Sequence, residues 1–360
     1  MDRPLTYMDG ETLMNTVLPP IRFVISQLLP QGLHVLAGAP KVGKSWLSLW
    51  LCLQVAKGEP VWEFSTTQGD VLYLCLEDSY SRIQSRLLDI TDDAPPNLFF
   101  ATMSEKLHSG LEQQIERFLA AHPDTVLIVI DTLQRIRGGV NDANPYASDY
   151  RDLGILKELA DKHRIAILLI HHLRKMNDDD PMNMISGTTG ISGATDTSFV
   201  LRKSKRSSNS ATLYCMGRDI EYRELSLEFD GADHVWKLTE DSGDQPARPQ
   251  EELVFFLSEF LNQRRCFTGT ATELAEALDE FAGEQYKPNV LMKKLLRCQQ
   301  ELLEQGIILS TRRTHDRREL TLCVGCVSND GKNDTGPVSD LLSQPSQPSQ
   351  LSQEKPVPPE

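Results

Sequence analysis

Leu33-His-Val-Leu-Ala37-Gly38-Ala39-Pro40-Lys41-Val42-Gly43-Lys44-Ser45-Trp46 is the stretch on which the reading of this chain turns. An apolar run at 33–37 reads as a strand, and the apolar run at 45–56, closed by Gly58, reads as a helix. Between them Gly38 to Ser45 fits the pattern GxxxxGK[ST], which carries meaning in a strand–loop–helix context. Glycines let the backbone curl so that successive N–H groups point inward at an anion, and the helix N-terminus adds positive potential. The set Gly38, Ala39, Pro40, Lys41, Val42, Gly43, Lys44, Ser45 and Trp46 is therefore the candidate phosphate cradle. Lys44 is expected to reach the outer phosphates of a nucleoside triphosphate, and the Ser45 hydroxyl to bind Mg²⁺.

Outward from this loop, apolar runs alternate with amphipathic ones. Strands are expected at 71–76, 98–101, 126–130, 165–170 and 197–201, and helices at 80–89, 111–121 and 148–163. Strands apolar throughout and separated by helices imply a mostly parallel sheet covered on both faces. After residue 210 the strands crowd together (211–216, 224–229, 234–238), as antiparallel additions at one edge do. In a parallel sheet, ligand chemistry gathers at the carboxyl ends of the strands. Three such ends carry polar groups here. Val126 to Ile130 ends in Asp131, placed to orient Mg²⁺. Val71 to Leu76 ends in Glu77-Asp78, and Glu77 is preferred over Asp78 as the base for an attacking water, because Asp78 and Ser79 are both good caps for the next helix. The run at 165–170 ends in His171-His172, of which one is expected to contact the γ-phosphate and the other to be structural. ATP is the expected substrate.

Composition sets the bounds. The chain has 360 residues, 40% hydrophobic and 24% charged, enough for two globular domains. No apolar run is long enough to span a bilayer, and Met1-Asp2-Arg3-Pro4 opens no signal peptide. Seven cysteines without regular spacing suggest a reduced, cytoplasmic setting with no membrane association. A net charge of −14 argues against coating nucleic acid over the whole surface, so any DNA contact must be local.

Taken together, the motifs resemble the RecA-like hexameric ATPases, most closely the RepA-type replicative helicases of plasmids and mobile elements. The resemblance covers roughly residues 20–240 and rests on GAPKVGKS, the LEDS at 76–79, the VIDTL at 129–133, His171-His172 and Cys215-Met-Gly-Arg218-Asp219. It implies a RecA-like α/β fold, with Glu77 as catalytic base and a strand-end histidine as γ-phosphate sensor. It also implies that Arg218 reaches the nucleotide of a neighbouring subunit in a homo-hexamer, with single-stranded DNA in the ring channel. Arg86 is a weaker candidate for holding phosphate or the base. One departure stands out: the loop after the histidines, Lys175-Met-Asn-Asp178-Asp179-Asp180, is acidic where a DNA-translocating loop should be basic. The stretch 184–193 and loop 135–149, with Arg135 and Arg137, are the other candidates for a channel lining. A regulatory ATP-binding switch and a filament-forming recombination or repair ATPase are the alternatives.

The expected organisation is an ATPase domain over 1–240, a linker at 241–250, a winged-helix-like α+β unit at 251–327 and a Ser/Gln/Pro-rich disordered tail at 328–360. In the third segment helices at 251–263, around 274–278 and at 288–305 precede strands at 307–311 and 319–324. Lys293, Lys294 and Arg297 on the third helix, with Arg312, Arg313, Arg317 and Arg318 on the hairpin, make a candidate surface for duplex DNA. The lone Cys323-Val-Gly-Cys326 reads as structural, lacking a partner pair of zinc spacing.

Overall fold

The computed structural model describes residues 7–138, 145–173, 181–185, 190–203, 205, 207–243, 252–282, 286–313 and 318–325. The acidic loop at 175–180, residues 186–189 of the Gly/Thr stretch, Arg317, Cys326 and the tail lie outside these residues. The chain divides into two compact units, one of residues 20–250 and one of residues 251 onward joined by the chain up to Pro19. The leading segment was expected in the first domain but groups with the second unit. There α1 (Gly10–Met14) is capped by Asp9, Val17 lies against the apolar core, and Gln299 donates to the Leu18 carbonyl at 3.0 Å.

In the first unit a small hairpin, β1 (Phe23–Ile25) and β2 (Leu29–Pro30), precedes β3 (Gly32–Gly38) and α2 (Lys44–Lys57). Next come β4 (Asp70–Cys75), α3 (Tyr80–Ile90), β5 (Leu98–Ala101), α4 (Leu111–Ala121), β6 (Thr125–Asp131), α5 (Leu133–Ile136), α6 (Pro145–His163) and β7 (Ala166–His172). After α7 (Gly190–Ala194) follow β8 (Thr197–Lys203), β9 (Ser210–Gly217), β10 (Arg223–Asp230) and β11 (Val235–Asp241). One nine-stranded sheet results, in the order β11-β10-β9-β8-β3-β7-β6-β4-β5. From β8 to β5 the strands are parallel, and β9, β10 and β11 continue the sheet antiparallel, the mixed α/β architecture expected from the sequence.

Strand alternation assigns the two faces. Ala166, Leu168 and Ile170 of β7 pack with Leu47, Leu51 and Val55 of α2, while Ile167 and Leu169 pack with Leu153 and Leu156 of α6. Helix α2 is apolar all round and buried on nearly every side, because β11 also packs against it. Trp236 of β11 and Trp46 of α2 belong to that closure: Trp236 sits at 1% exposure, and Trp46 stacks on His234 at 4.9 Å between centroids.

The second unit runs α8 (Glu252–Arg264), β12 (Cys266–Gly269), α9 (Ala271–Ala282), α10 (Pro288–Arg297), α11 (Gln299–Glu304), β13 (Ile307–Arg313) and β14 (Arg318–Val324). Its antiparallel sheet has the order β12-β14-β13, and with α10 and α11 taken as one broken helix the order helix–strand–helix–helix–hairpin is that of a winged helix. Two local expectations are corrected. The single helix expected at 288–305 breaks at Cys298, whose ψ of 15° leaves the helical range, letting Leu291 and Leu295 before the break and Leu302 after it all reach the core. Phe267-Thr-Gly, given no strand among the expected elements, is part of β12, because Cys266 and Phe267 pair with Cys323 and Leu322. Cys323 is disulfide-bonded to Cys266 across that pair, a partner 57 residues away that the local CxxC spacing concealed.

Candidate nucleotide site

Strand β3 ends at Gly38 and the chain turns through Ala39, Pro40, Lys41 and Val42 to Gly43, the N-cap of α2. Gly43 has φ 109°, in the region that favours glycine, and a Cβ there would lie 2.8 Å from the Trp236 ring. At Gly38 a Cβ would meet the Leu201 carbonyl at 2.9 Å. Close packing thus demands both glycines, and the turn demands Gly43 as well. No side chain caps α2 at Gly43, so the first-turn N–H groups face the loop.

Lys44 lies over this loop. Its ammonium donates to the carbonyls of Gly38 (2.7 Å) and Ala39 (3.1 Å) and lies 3.4 Å from Nδ1 of His172. Burial lowers the Lys44 pKa to about 8, against the opposing pull of Asp131 and Glu77. Ser45 Oγ donates to Asp131 Oδ2 at 2.9 Å, and the buried Tyr73 hydroxyl donates to the same oxygen at 3.1 Å. Burial raises the Asp131 pKa, and these two hydrogen bonds oppose the rise.

The carboxylates at the end of β4 part company. Glu77 is exposed on the site side: Oε1 accepts from Thr132 Oγ1 at 3.2 Å and lies 3.5 Å from Arg135 Nε. Asp78 is held between Arg82 (2.7 Å) and Arg86 (2.5 Å), while Ser79 caps α3. Arg86 also lies over the Trp46 ring at 5.7 Å, so its charge is committed to Asp78 and Trp46. The histidines separate by strand parity. His172 continues the face of Leu168 and Ile170 toward α2 and Lys44, and His171 continues the face of Ile167 and Leu169.

Register brings these groups together. Gly38 pairs with His172, Ile170 with Asp131 and Asp131 with Cys75, so the ends of β3, β7, β6 and β4 stand side by side. Neighbouring strands are about 4.8 Å apart, which puts the loop, His172, Asp131 and Glu77 within the reach of one triphosphate. Arg218 is elsewhere. It follows Gly217, which pairs with Thr197 at the start of β8, whereas the phosphate loop adjoins Leu201 at that strand's other end. Four residues of strand separate the two, about 13 Å. The Arg218 side chain is 66% exposed and lies 3.6 Å from Asp196 Oδ1.

Trp236 was not singled out from the sequence, yet its Nε1–H donates to the Gly43 carbonyl at 3.3 Å. No local pattern could mark it, since β11 and the loop are 193 residues apart. Arg135, expected near a channel, faces Glu77 instead. On the second unit Lys293, Arg297 and Arg312 are exposed and Lys294 lies over the Tyr286 ring at 5.5 Å. The side chains of Arg313 and Arg318 are not among those described.

A metal can be weighed on the donor set. Among the described residues no group of three or more His, Cys, Asp or Glu side chains gathers for one. Ser45 and Asp131 supply two hard oxygens side by side, which fits Mg²⁺ carried with phosphate and water and not a metal held by protein alone.

Fold and strand ends thus define a class, the α/β domains that hold a phosphorylated ligand at a glycine loop. Residues 3–178 match the family model AAA_25, an AAA domain. Among solved structures the chain is similar to the "ATPase Domain of G40P", with 14% identity and a TM-score of 0.49 over 58% of this chain and 85% of that one. It is also similar to a chain of "The Structure Of A DnaB-Like Replicative Helicase And Its Interactions With Primase", with 13% identity and a TM-score of 0.49 over 64% of each. No curated protein sequence matches. Among the described residues no helix is long and apolar enough to cross a membrane.

Proposed function

We propose that the chain is an ATP-hydrolysing, RecA-like ring motor acting as a RepA-type DNA helicase in the replication of a plasmid, phage or integrated element. The observation that carries this reading is the row of Lys44, Ser45, Asp131, Glu77 and His172 along four adjacent strand ends. The AAA-domain match over residues 3–178 supports the ATPase part.

In this reading the loop N–H groups and Lys44 hold the β- and γ-phosphates. The Lys44 ammonium exchanges the Gly38 and Ala39 carbonyls for phosphate oxygens. Ser45 and Asp131 would hold Mg²⁺, which supplies charge neutralisation on the phosphates when bound. Glu77 accepts the proton of the attacking water, its carboxylate oriented by Thr132 and Arg135. His172, beside Lys44, senses the γ-phosphate. Arg218 stands too far from its own loop to serve it and is supplied to a neighbour's nucleotide in a homo-hexamer, which ties hydrolysis to assembly. Single-stranded DNA in the channel and duplex DNA against Lys293, Arg297 and Arg312 complete the proposal.

Glu77→Gln tests it: turnover should fall at least about a thousandfold with ATP binding retained. Mixing Lys44→Ala with Arg218→Ala, each inactive alone, should restore turnover, because a ring holds interfaces between an intact loop and an intact arginine. No recovery overturns the trans role of Arg218. A turnover rate indifferent to single-stranded DNA, with no duplex unwinding, leaves an ATP-dependent switch as the function. The acidic loop at 175–180 is the one feature that favours that outcome.

A further inference from the structure

We infer that Asp196 is a positioning residue for Arg218, a step that rests on the reading of Arg218 as a trans-acting arginine. Asp196 stands just before β8 and is 6% exposed. Its Oδ2 accepts the Leu33 N–H at 2.9 Å and lies 2.9 Å from the Lys157 ammonium. Its backbone is tied on both sides: the Asp196 N–H donates to the Leu33 carbonyl at 2.7 Å, and the Asp196 carbonyl accepts the Arg218 N–H at 2.9 Å. The chain leaves room for this carboxylate, since a Cβ at Gly32 would stand 2.3 Å from Asp196 Oδ2.

These contacts account for one carboxylate oxygen and the main chain. The remaining oxygen, Oδ1, faces the Arg218 guanidinium at 3.6 Å. That distance is an ion pair and not a hydrogen bond, so it biases the direction of the side chain while leaving it free to extend. Arg218 is therefore anchored at its backbone by the Asp196 carbonyl and aimed at its tip by the Asp196 carboxylate. Lys157 shares its charge with Asp161 at 2.5 Å, so Asp196 keeps unspent negative charge for the arginine. The carboxylate limits the orientations the arginine must give up when it meets a neighbour's phosphate, and a displacement of about 1 Å in such a group can cost about a hundredfold in rate.

The variant Asp196→Asn isolates this role. Its amide oxygen can keep the Leu33 N–H and Lys157 keeps Asp161, so the fold is expected to hold. Turnover at saturating ATP should fall roughly ten- to a hundredfold with KM for ATP unchanged, because the phosphate loop is untouched. In mixed assemblies with Lys44→Ala, whose Arg218 and Asp196 are intact, the Asp196→Asn sites should regain turnover, which a folding defect would not do. Full turnover in Asp196→Asn, with Arg218→Ala inactive, overturns the positioning role alone. Full turnover in Arg218→Ala overturns the reading beneath it. If circular dichroism shows Asp196→Asn unfolded, Asp196→Glu replaces it: a smaller loss with the same recovery on mixing is expected, and a wild-type rate overturns the inference.

Discussion

Replacing Trp236 with Phe probes how the far edge of the sheet governs the phosphate loop. Trp236 is buried, gives its Nε1–H to the Gly43 carbonyl at 3.3 Å, packs on Phe229 at 5.2 Å and carries Lys203 over its ring at 5.2 Å. Phenylalanine keeps most of the packing and removes the donor. Loss of one hydrogen bond costs about 1 kcal/mol, softened because Gly43 O also accepts from the Leu47 N–H at 3.1 Å. The smaller ring leaves a gap worth about another 1 kcal/mol. The unit should lose about 2 kcal/mol in urea unfolding, and since the freed carbonyl belongs to the loop, part of that loss should fall on ATP binding. A share of about 1 kcal/mol corresponds to a five- to tenfold weaker Kd, measured by titration calorimetry. Leu213→Ala, in the same core but away from the loop, is the control: it should cost at least about 2 kcal/mol and leave Kd alone. If the two variants lose stability alike and bind ATP alike, Trp236 is core filling and the reasoning fails.

Two further outcomes are expected. His34 is fully buried with Nε2 2.7 Å from the Pro30 carbonyl, and burial drives its pKa down to about 4, against the opposing influence of Asp196. The unfolded chain, with an ordinary histidine pKa near 6.5, takes up the proton first. Stability is therefore intact above about pH 6.5 and falls by about 3 kcal/mol toward pH 4; His34→Leu should flatten this part of a urea-midpoint profile, and an unchanged profile rejects the assignment. In the second unit the Cys266–Cys323 bond closes a separation of 57 residues, for which chain entropy predicts about 4 kcal/mol. Calorimetry with and without a phosphine reductant should show that unit melting earlier when reduced, and Cys266→Ser should melt like the reduced protein in either condition.

Period and punctuation in the sequence determined much of this protein. Runs apolar at every position announced strands buried on both faces, GAPKVGKS announced a loop between strand and helix, and polar residues after apolar runs announced where chemistry collects. Those signals are local, so they could be read a few residues at a time. What they could not carry is direction and distance across the chain. Glu77 and Asp78 are nearly equal as sequence, parted only by the capping role open to Asp78, and it is packing that puts Arg82 and Arg86 around Asp78 and Thr132 and Arg135 beside Glu77. His171 and His172 are likewise equal until register with Gly38 turns the second toward Lys44. Trp236 under the loop, Cys266 opposite Cys323 and Val17 in the second unit's core are contacts across long separations, set by how the sheets close and not by any nearby residue. The phosphate loop was legible because its function is written in consecutive backbone atoms; the groups around it were decided by tertiary structure, because they meet only when four strands end side by side.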